Sequence, residues 1–156
     1  MKFKVVAVGK IKEQYLKDAM AEYVKRIGRF ANVEIVEVDE CLSKGAQSDK
    51  EIARINNVEG EAIVQKLDGY VVAMDIDGKQ LSSVELSKHI TELKQRYSTF
   101  TFVIGGSNGL SDEVKARADL RCSFGKITLP HQLFRVVLLE QLYRACCIEN
   151  NIKYHK

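Results

Sequence analysis

Residues Thr101 to Leu110 read Thr-Phe-Val-Ile-Gly-Gly-Ser-Asn-Gly-Leu, and Ser111-Asp112-Glu113 follows. β-branched and aromatic side chains favour an extended strand, the glycines bend the chain, and Ser-Asp-Glu has the form of a helix start. The stretch predicts a strand, a sharp loop and a helix. Lacking a Cβ, Gly105, Gly106 and Gly109 admit positive φ and let a ligand approach the main chain. Open α/β sheets bind ligands at such loops, at the carboxyl ends of strands. A tight turn with no ligand is the competing reading, and the flanking sequence must decide between them.

Upstream, Phe3 to Val8 is a β-rich run stopped by Gly9. From Tyr15 to Ile27 the apolar residues keep to one helical face, and Gly28 ends the run. Val33 to Val38 predicts a second strand, buried on both faces. Asp39 to Gln47 lacks periodicity and reads as a loop. Ser48-Asp49-Lys50-Glu51 has the form of a capping box opening a helix to about Leu67. Tyr70 to Ile76 predicts a third strand closed by a turn at Asp77-Gly78. A second box, Ser82 to Glu85, opens a helix with Leu86, Ile90, Leu93 and Tyr97 on one face.

Downstream, a short helix is expected from Asp112 to Ala118, then a fifth strand within Arg121 to Leu129, interrupted by Gly125. Pro130 precedes the most apolar helix, His131 to Glu149. Of the residues Leu133 to Ile148, only Arg135, Glu140, Gln141 and Arg144 are strongly polar. A helix apolar nearly all round needs cover on several sides, so one face is expected at a homodimer contact. Strands alternating with helices predict an α/β fold with a mainly parallel sheet flanked by helices. Neither repeat nor linker divides the chain, which reads as a single domain, 1–156.

The composition fits that picture: 156 residues, 46% hydrophobic and 29% charged. No apolar run approaches the ~20 residues that span a bilayer, and the amino terminus lacks a signal-peptide core. The expectation is a cytoplasmic protein with no membrane partner. Cys41, Cys122, Cys146 and Cys147 show no Cys-x-x-Cys spacing, and His89, His131 and His155 do not cluster with them. Reduced, packed thiols and no metal site are expected. A net charge of +3 is compatible with an RNA partner without demanding one.

Among nucleotide motifs, the Gly-Lys pairs at Gly9, Gly78 and Gly125 lack the spacing and hydroxyl of a P-loop, and the loop at Gly105 lacks the dinucleotide fingerprint. Gly105-Gly106-Ser107-Asn108-Gly109 does fit the Gly-x-Ser-x-Gly nucleophile elbow, with Ser107 served by His131 or His155. Against a hydrolase stand the short chain and the lack of an oxyanion-loop motif.

Four segments narrow the choice. Phe102 to Leu110, Leu129-Pro130-His131-Gln132-Leu133-Phe134-Arg135-Val136, Leu139-Glu140-Gln141-Leu142-Tyr143-Arg144-Ala145 and the terminal Tyr154-His155-Lys156, with Val6-Ala7-Val8-Gly9-Lys10 at the start, closely resemble the ribosomal RNA large-subunit methyltransferase H family. The resemblance spans the chain. It implies a SPOUT-class α/β-knot with a carboxyl-terminal trefoil knot, acting as a homodimer and using S-adenosylmethionine. The implied activity is methylation of N3 of a pseudouridine in the inter-subunit bridge stem-loop of 23S rRNA, on the assembled ribosome. Chain-topology rules alone argue against a knot.

The resemblance also implies a cofactor pocket of Met74, Gly105, Phe124, Gly125, Lys126, Ile127, Thr128 and Leu129. Gly125 departs from the serine many relatives carry, which bears on side-chain contacts but not on backbone ones. His155 and Tyr154 are expected at the target base as the catalytic pair, His155 as contact or general base and Tyr154 stacking. Lys156, Arg135, Glu140 and Arg144 are the RNA-binding candidates, with Glu140 and Arg144 one turn apart and able to pair. His131 is read as a structural or pocket-wall residue. A non-catalytic ribosome- or RNA-binding protein of the same fold is the alternative.

Overall fold

The computed structural model describes residues 1–43, 45 and 48–156. Five strands and five helices alternate: β1 (Lys2–Val8), α1 (Gln14–Ile27), β2 (Asn32–Val38), α2 (Asp49–Val64), β3 (Tyr70–Gln80), α3 (Ser83–Leu93), β4 (Thr99–Ile104), α4 (Asp112–Arg117), β5 (Leu120–Ser123) and α5 (His131–Glu149). All strand pairs are parallel, in the order β2-β1-β4-β3-β5. The expected α/β class and parallel sheet are both present.

Side-chain alternation builds a core on each face of the sheet. Phe3, Val5 and Ala7 of β1, with Tyr70, Val72 and Met74 of β3 and Phe100 and Phe102 of β4, meet α1, α3 and α5. The intervening Val6, Val8, Val71, Ala73 and Val103 meet Ile63 of α2 and Val114 of α4. The described part of the loop expected over 39–47 contains neither helix nor strand; Lys44, Ala46 and Gln47 fall outside the described residues.

Several local expectations need correction. β2 is an edge strand, so its residues are mostly half-exposed and only Val38 is buried. At α2 the capping box is half made: Ser48 Oγ accepts the Glu51 N–H at 3.2 Å, but the Glu51 carboxylate pairs with Arg54 at 2.7 Å. The box at α3 is complete, Ser82 N donating to Glu85 Oε2 at 2.7 Å. Tyr97 lies beyond α3 yet reaches the same core, edge-on to Tyr70 with ring centroids 5.2 Å apart.

β3 does not stop at Asp77-Gly78. It bulges there, so that both Met74 and Lys79 pair with Cys122 of β5. Gly78 permits the return, since a Cβ on it would lie 2.6 Å from the Arg121 carbonyl carbon. β5 is shorter than expected, ending at Ser123, and its start is clasped to β3: Val71 N donates to Asp119 Oδ2, and Asp119 N to Val71 O, each at 2.8 Å.

α5 packs between α1 and α3 through Leu138, Leu139, Leu142, Ala145, Cys146 and Cys147, all buried. Arg135 departs from the RNA-facing role read from the sequence. It is 0% exposed; Nη1 donates to Glu37 Oε2 at 2.7 Å, and Nη2 to the carbonyls of Val8 at 2.9 Å and Gly9 at 2.7 Å. A polar side chain in an apolar helix here ties that helix to the carboxyl end of β1. All four cysteines are free thiols, three of them buried, in keeping with the packed thiols expected.

Candidate functional site

The glycine loop leaves β4 at Ile104 and folds back on itself. Gly109 N donates to Gly106 O at 3.1 Å, and Gly109 has φ +81°, a conformation natural to glycine. A Cβ on Gly105 would stand 2.7 Å from the Gly109 carbonyl carbon, so the bend can be this tight only with glycine there. The first wall of a cavity is thus made of bare main chain.

β3 and the segment after β5 supply the other walls. Because β5 lies beside β3, the carboxyl ends of both strands open towards the glycine loop. Phe124 packs on Phe134 of α5 with ring centroids 5.5 Å apart, and Gly125 turns at φ +116°. The open cleft between these walls measures about 580 Å³. Met74, Gly105, Phe124, Gly125, Ile127, Thr128 and Leu129 all line it, whereas Lys126 does not and is exposed. His131 forms part of the wall, as expected. Ile76 and Ile127 are lining residues that remain 50% and 83% exposed, two apolar lips at the mouth.

Sequence reasoning missed the polar side of this cavity: Asp75, Asp77, Lys115 and Ser123. Asp75 is bound by Arg121 Nη2 at 2.6 Å and lies 3.8 Å from Lys115 Nζ. Burial pushes its carboxyl up, but the Asp77 N–H and the Arg121 guanidinium outweigh burial and hold it below the usual carboxylate range. No local pattern announces this cluster, because it depends on the bulge in β3. Ser107 lines the cavity but bonds to neither histidine among the described residues, so no hydrolase triad is assembled.

The residues expected at the target base gather elsewhere, at the far end of α5. Arg144 and Glu140 pair at 2.5 Å. Tyr154 donates its hydroxyl to Glu140 Oε1 at 3.0 Å, its ring stands edge-on to Tyr143 at 4.8 Å, and the Arg144 guanidinium lies 4.6 Å from its centroid. His155 Nδ1 is 3.2 Å from Arg144 Nη1. Burial, then the bond to Glu140, pushes the Tyr154 hydroxyl up to about 12, so it remains a donor at neutral pH. Tyr154, His155, Glu140 and Arg144 are therefore one cluster, while Lys156 is exposed with no ion pair among the described residues.

None of that cluster lines the cavity of its own chain. His131, on the cavity wall, and Arg144 are separated by thirteen residues of α5, about 20 Å at the helical rise. Among the described residues, no group of three or more His, Cys, Asp or Glu side chains is arranged to hold a metal, and no helix is long and apolar enough to cross a membrane.

Comparison with known proteins gives three findings. The family model described as Predicted SPOUT methyltransferase matches residues 1–155. Proteins named Ribosomal RNA large subunit methyltransferase H from Streptococcus pneumoniae, strains CGSP14 and TIGR4 among them, are 49% identical over 159 residues, covering 100% of both chains. Among solved structures, a methylase family protein from Haemophilus influenzae Rd KW20 superposes with TM-score 0.56 at 14% identity, over 99% of this chain and 70% of that one. A Legionella pneumophila protein described as a methyltransferase, solved with bound SAM, superposes with TM-score 0.52 at 11% identity, over 93% of this chain and 66% of that one. The two structural likenesses bear on the fold.

Proposed function

We propose that this chain, which belongs to the SPOUT methyltransferases and within them to the ribosomal RNA large subunit methyltransferase H family, transfers the methyl group of S-adenosylmethionine to N3 of a pseudouridine in 23S rRNA. The substrate is the inter-subunit bridge stem-loop of the assembled ribosome, in the cytoplasm, and the carboxyl-terminal part of the chain forms a trefoil knot.

One observation carries the reading. The glycine loop and Phe124, Gly125, Ile127, Thr128 and Leu129 border, with Met74, an open cavity of about 580 Å³ whose size and lining suit a nucleoside cofactor. Phe124, Ile127 and Leu129 offer apolar area to an adenine, and the bare main chain at Gly105 offers hydrogen-bonding groups at close range.

S-adenosylmethionine supplies a methyl group on a sulfonium, open to in-line displacement. The chain's own residues align the acceptor and manage its proton. Arg144 can only donate, so its contact with His155 Nδ1 makes that nitrogen the acceptor and leaves the proton on Nε2. Nε2–H then faces the base as a donor to a carbonyl flanking N3 and stabilises the charge that develops as N3 loses its proton to solvent. His155 in this arrangement is an electrostatic partner, and it becomes a base only on release from Arg144. Tyr154 stacks or packs at the base, and Lys156 with the exposed face of Arg144 meets phosphate.

The length of α5 between cavity and tail supports a homodimer in which the tail of one protomer serves the cavity of the other. Two inactive variants test this arrangement. One carries Gly105→Val, with a spoiled cavity and an intact tail; the other lacks residues 154–156. Mixed dimers regain activity if the tail works across the interface and stay inactive if it serves its own chain.

The activity itself is tested with labelled S-adenosylmethionine and ribosomes lacking the mark. Label on N3 of a 23S pseudouridine is expected. Ribosome binding without label would establish the non-catalytic alternative instead.

A further inference from the structure

Glu22, Lys25 and Arg26 of α1, with Arg29 just beyond its end, are spaced i, i+3, i+4 and i+7 and so fall on one stripe of the helix and its continuation. All four residues are exposed, three of them cations. Glu22 is already engaged by Arg26 Nε at 2.8 Å. Neither Lys25 nor Arg29 forms an ion pair among the described residues, and the Nη groups of Arg26 take no hydrogen-bond partner there.

Aromatic rings hold this stripe against the end of α5. The Arg26 guanidinium lies 5.5 Å from the Tyr23 ring centroid and 5.7 Å from that of Tyr143. Tyr143 in turn meets Phe30 at 6.5 Å and Tyr154 at 4.8 Å. A bond to Cys147 and burial push the Tyr143 hydroxyl up, while the charges of Arg26 and Arg29 pull it down, so both cations stand near it. The stripe and the terminal turn, which carries exposed Lys153 and Lys156, therefore meet at Tyr143 as one surface. Its carboxylates are committed: Glu22 to Arg26, Glu140 to Arg144 and Glu149 to Lys94. With a net charge of only +3, attraction of a polyanion must come from such a local grouping and not from the molecule as a whole.

We infer that the end of α1 is a phosphate-binding platform, in which Lys25, Arg26 and Arg29 hold the RNA backbone beside the nucleotide that the tail engages. This inference rests on the RNA reading above. It extends the RNA contact from the last turn of the chain to its first helix. The tail meets the base, and the platform fixes the course of the strand.

Salt titration of ribosome binding tests the platform, with ribosomes lacking the mark as the probe. Each phosphate contact contributes about −0.7, for a single strand, to −0.9, for a duplex, to the slope of log affinity against log salt. The double variant Lys25→Gln, Arg29→Gln should bind roughly 2- to 30-fold more weakly, as loss of two exposed ion pairs implies. Its slope should be shallower by about 1.4–1.8, with affinity for S-adenosylhomocysteine unchanged. Cations at the end of a helix also offset the helix dipole. If that were their only task, the variant would lose thermal stability and keep the wild-type slope. An unaltered slope overturns the platform, whether affinity is kept or whether it falls with a change in sedimentation that assigns the face to a contact between protomers. Glu22→Gln gives a test in the opposite direction: it removes the anion of the stripe and releases Arg26, so binding should tighten, and equal or weaker binding overturns the platform. If the wild type does not bind these ribosomes, the RNA reading itself fails and takes the platform with it.

Discussion

Tyr154 donates its hydroxyl to Glu140 Oε1 across 3.0 Å and so ties the chain end, which Asn151 at φ +55° and the Ile152 N–H bond to Cys147 O have already turned, back onto α5. Glu140 in turn holds Arg144, and Arg144 holds His155. The last turn of the protein is organised from a carboxylate in mid-helix. Glu140, expected to meet RNA, has an anchoring role that its charge alone would not suggest.

Removal of residues 154–156 is therefore expected to abolish methyl transfer while sparing cofactor affinity, since no tail residue lines the cavity of its own chain. Radiometric transfer and calorimetry measure the two separately. Lost cofactor affinity in the truncated, folded protein would contradict the division.

Gly105→Val should lose cofactor binding. The added side chain meets the Gly109 main chain and Leu110 Cδ2, at 3.0 Å, before it meets any ligand. The loop must open, at a cost of about 1–3 kcal/mol in stability. Denaturant titration and calorimetry check the pair of effects, and unchanged affinity would sink the assignment of the loop.

Arg135→Met leaves Glu37 without its guanidinium and the Val8 and Gly9 carbonyls without Nη2. Glu37 is exposed and stays solvated, so destabilisation of about 1–3 kcal/mol for each of the two buried carbonyls left without a donor is expected in urea. Arg135→Lys should recover only part, because one ammonium cannot reproduce the planar fork. RNA affinity of the folded variant should equal that of the wild type; a specific loss of RNA binding would restore the role first read from the sequence.

Tyr154 gives a pH signature. Its hydroxyl is raised from the ordinary 10.0 to about 12, so the folded state holds this proton more tightly than the unfolded chain. The resulting stability is complete below about pH 10 and is lost as pH rises towards 12. The stability difference between wild type and Tyr154→Phe should be flat up to the lower value and shrink above it. A difference that disappears already below pH 9 would exclude the bond to Glu140.

The sequence carried what depends on neighbours along the chain. The β-rich run Phe3 to Val8 foretells a strand, and the strand that forms sends Phe3, Val5 and Ala7 into one core and Val6 and Val8 into the other. Val33 to Val38, expected to be buried on both faces, is mostly half-exposed with only Val38 buried, because strand order, not local pattern, decides which strand lies at an edge. Arg135 misled for a related reason: its partners are 98 to 127 residues away. The glycine loop announced itself as a ligand-type bend, and family resemblance added the segment Phe124 to Leu129. Asp75 and Lys115 had no such signal, since they reach the cavity only after β3 bulges.

The clasp between Asp119 and Val71 has a consequence for exchange of backbone protons with solvent. β5 has four residues, lies at the sheet edge, and begins at that clasp, yet Cys122 and Ser123 at its far end line the larger cavity. Local opening of so short an edge strand dismantles the cavity wall without unfolding the central strands. Ligand occupancy and protection of the β5 amides are thus a single equilibrium seen from two sides, and a bound nucleoside should slow deuterium uptake there far more than in β1 or β4.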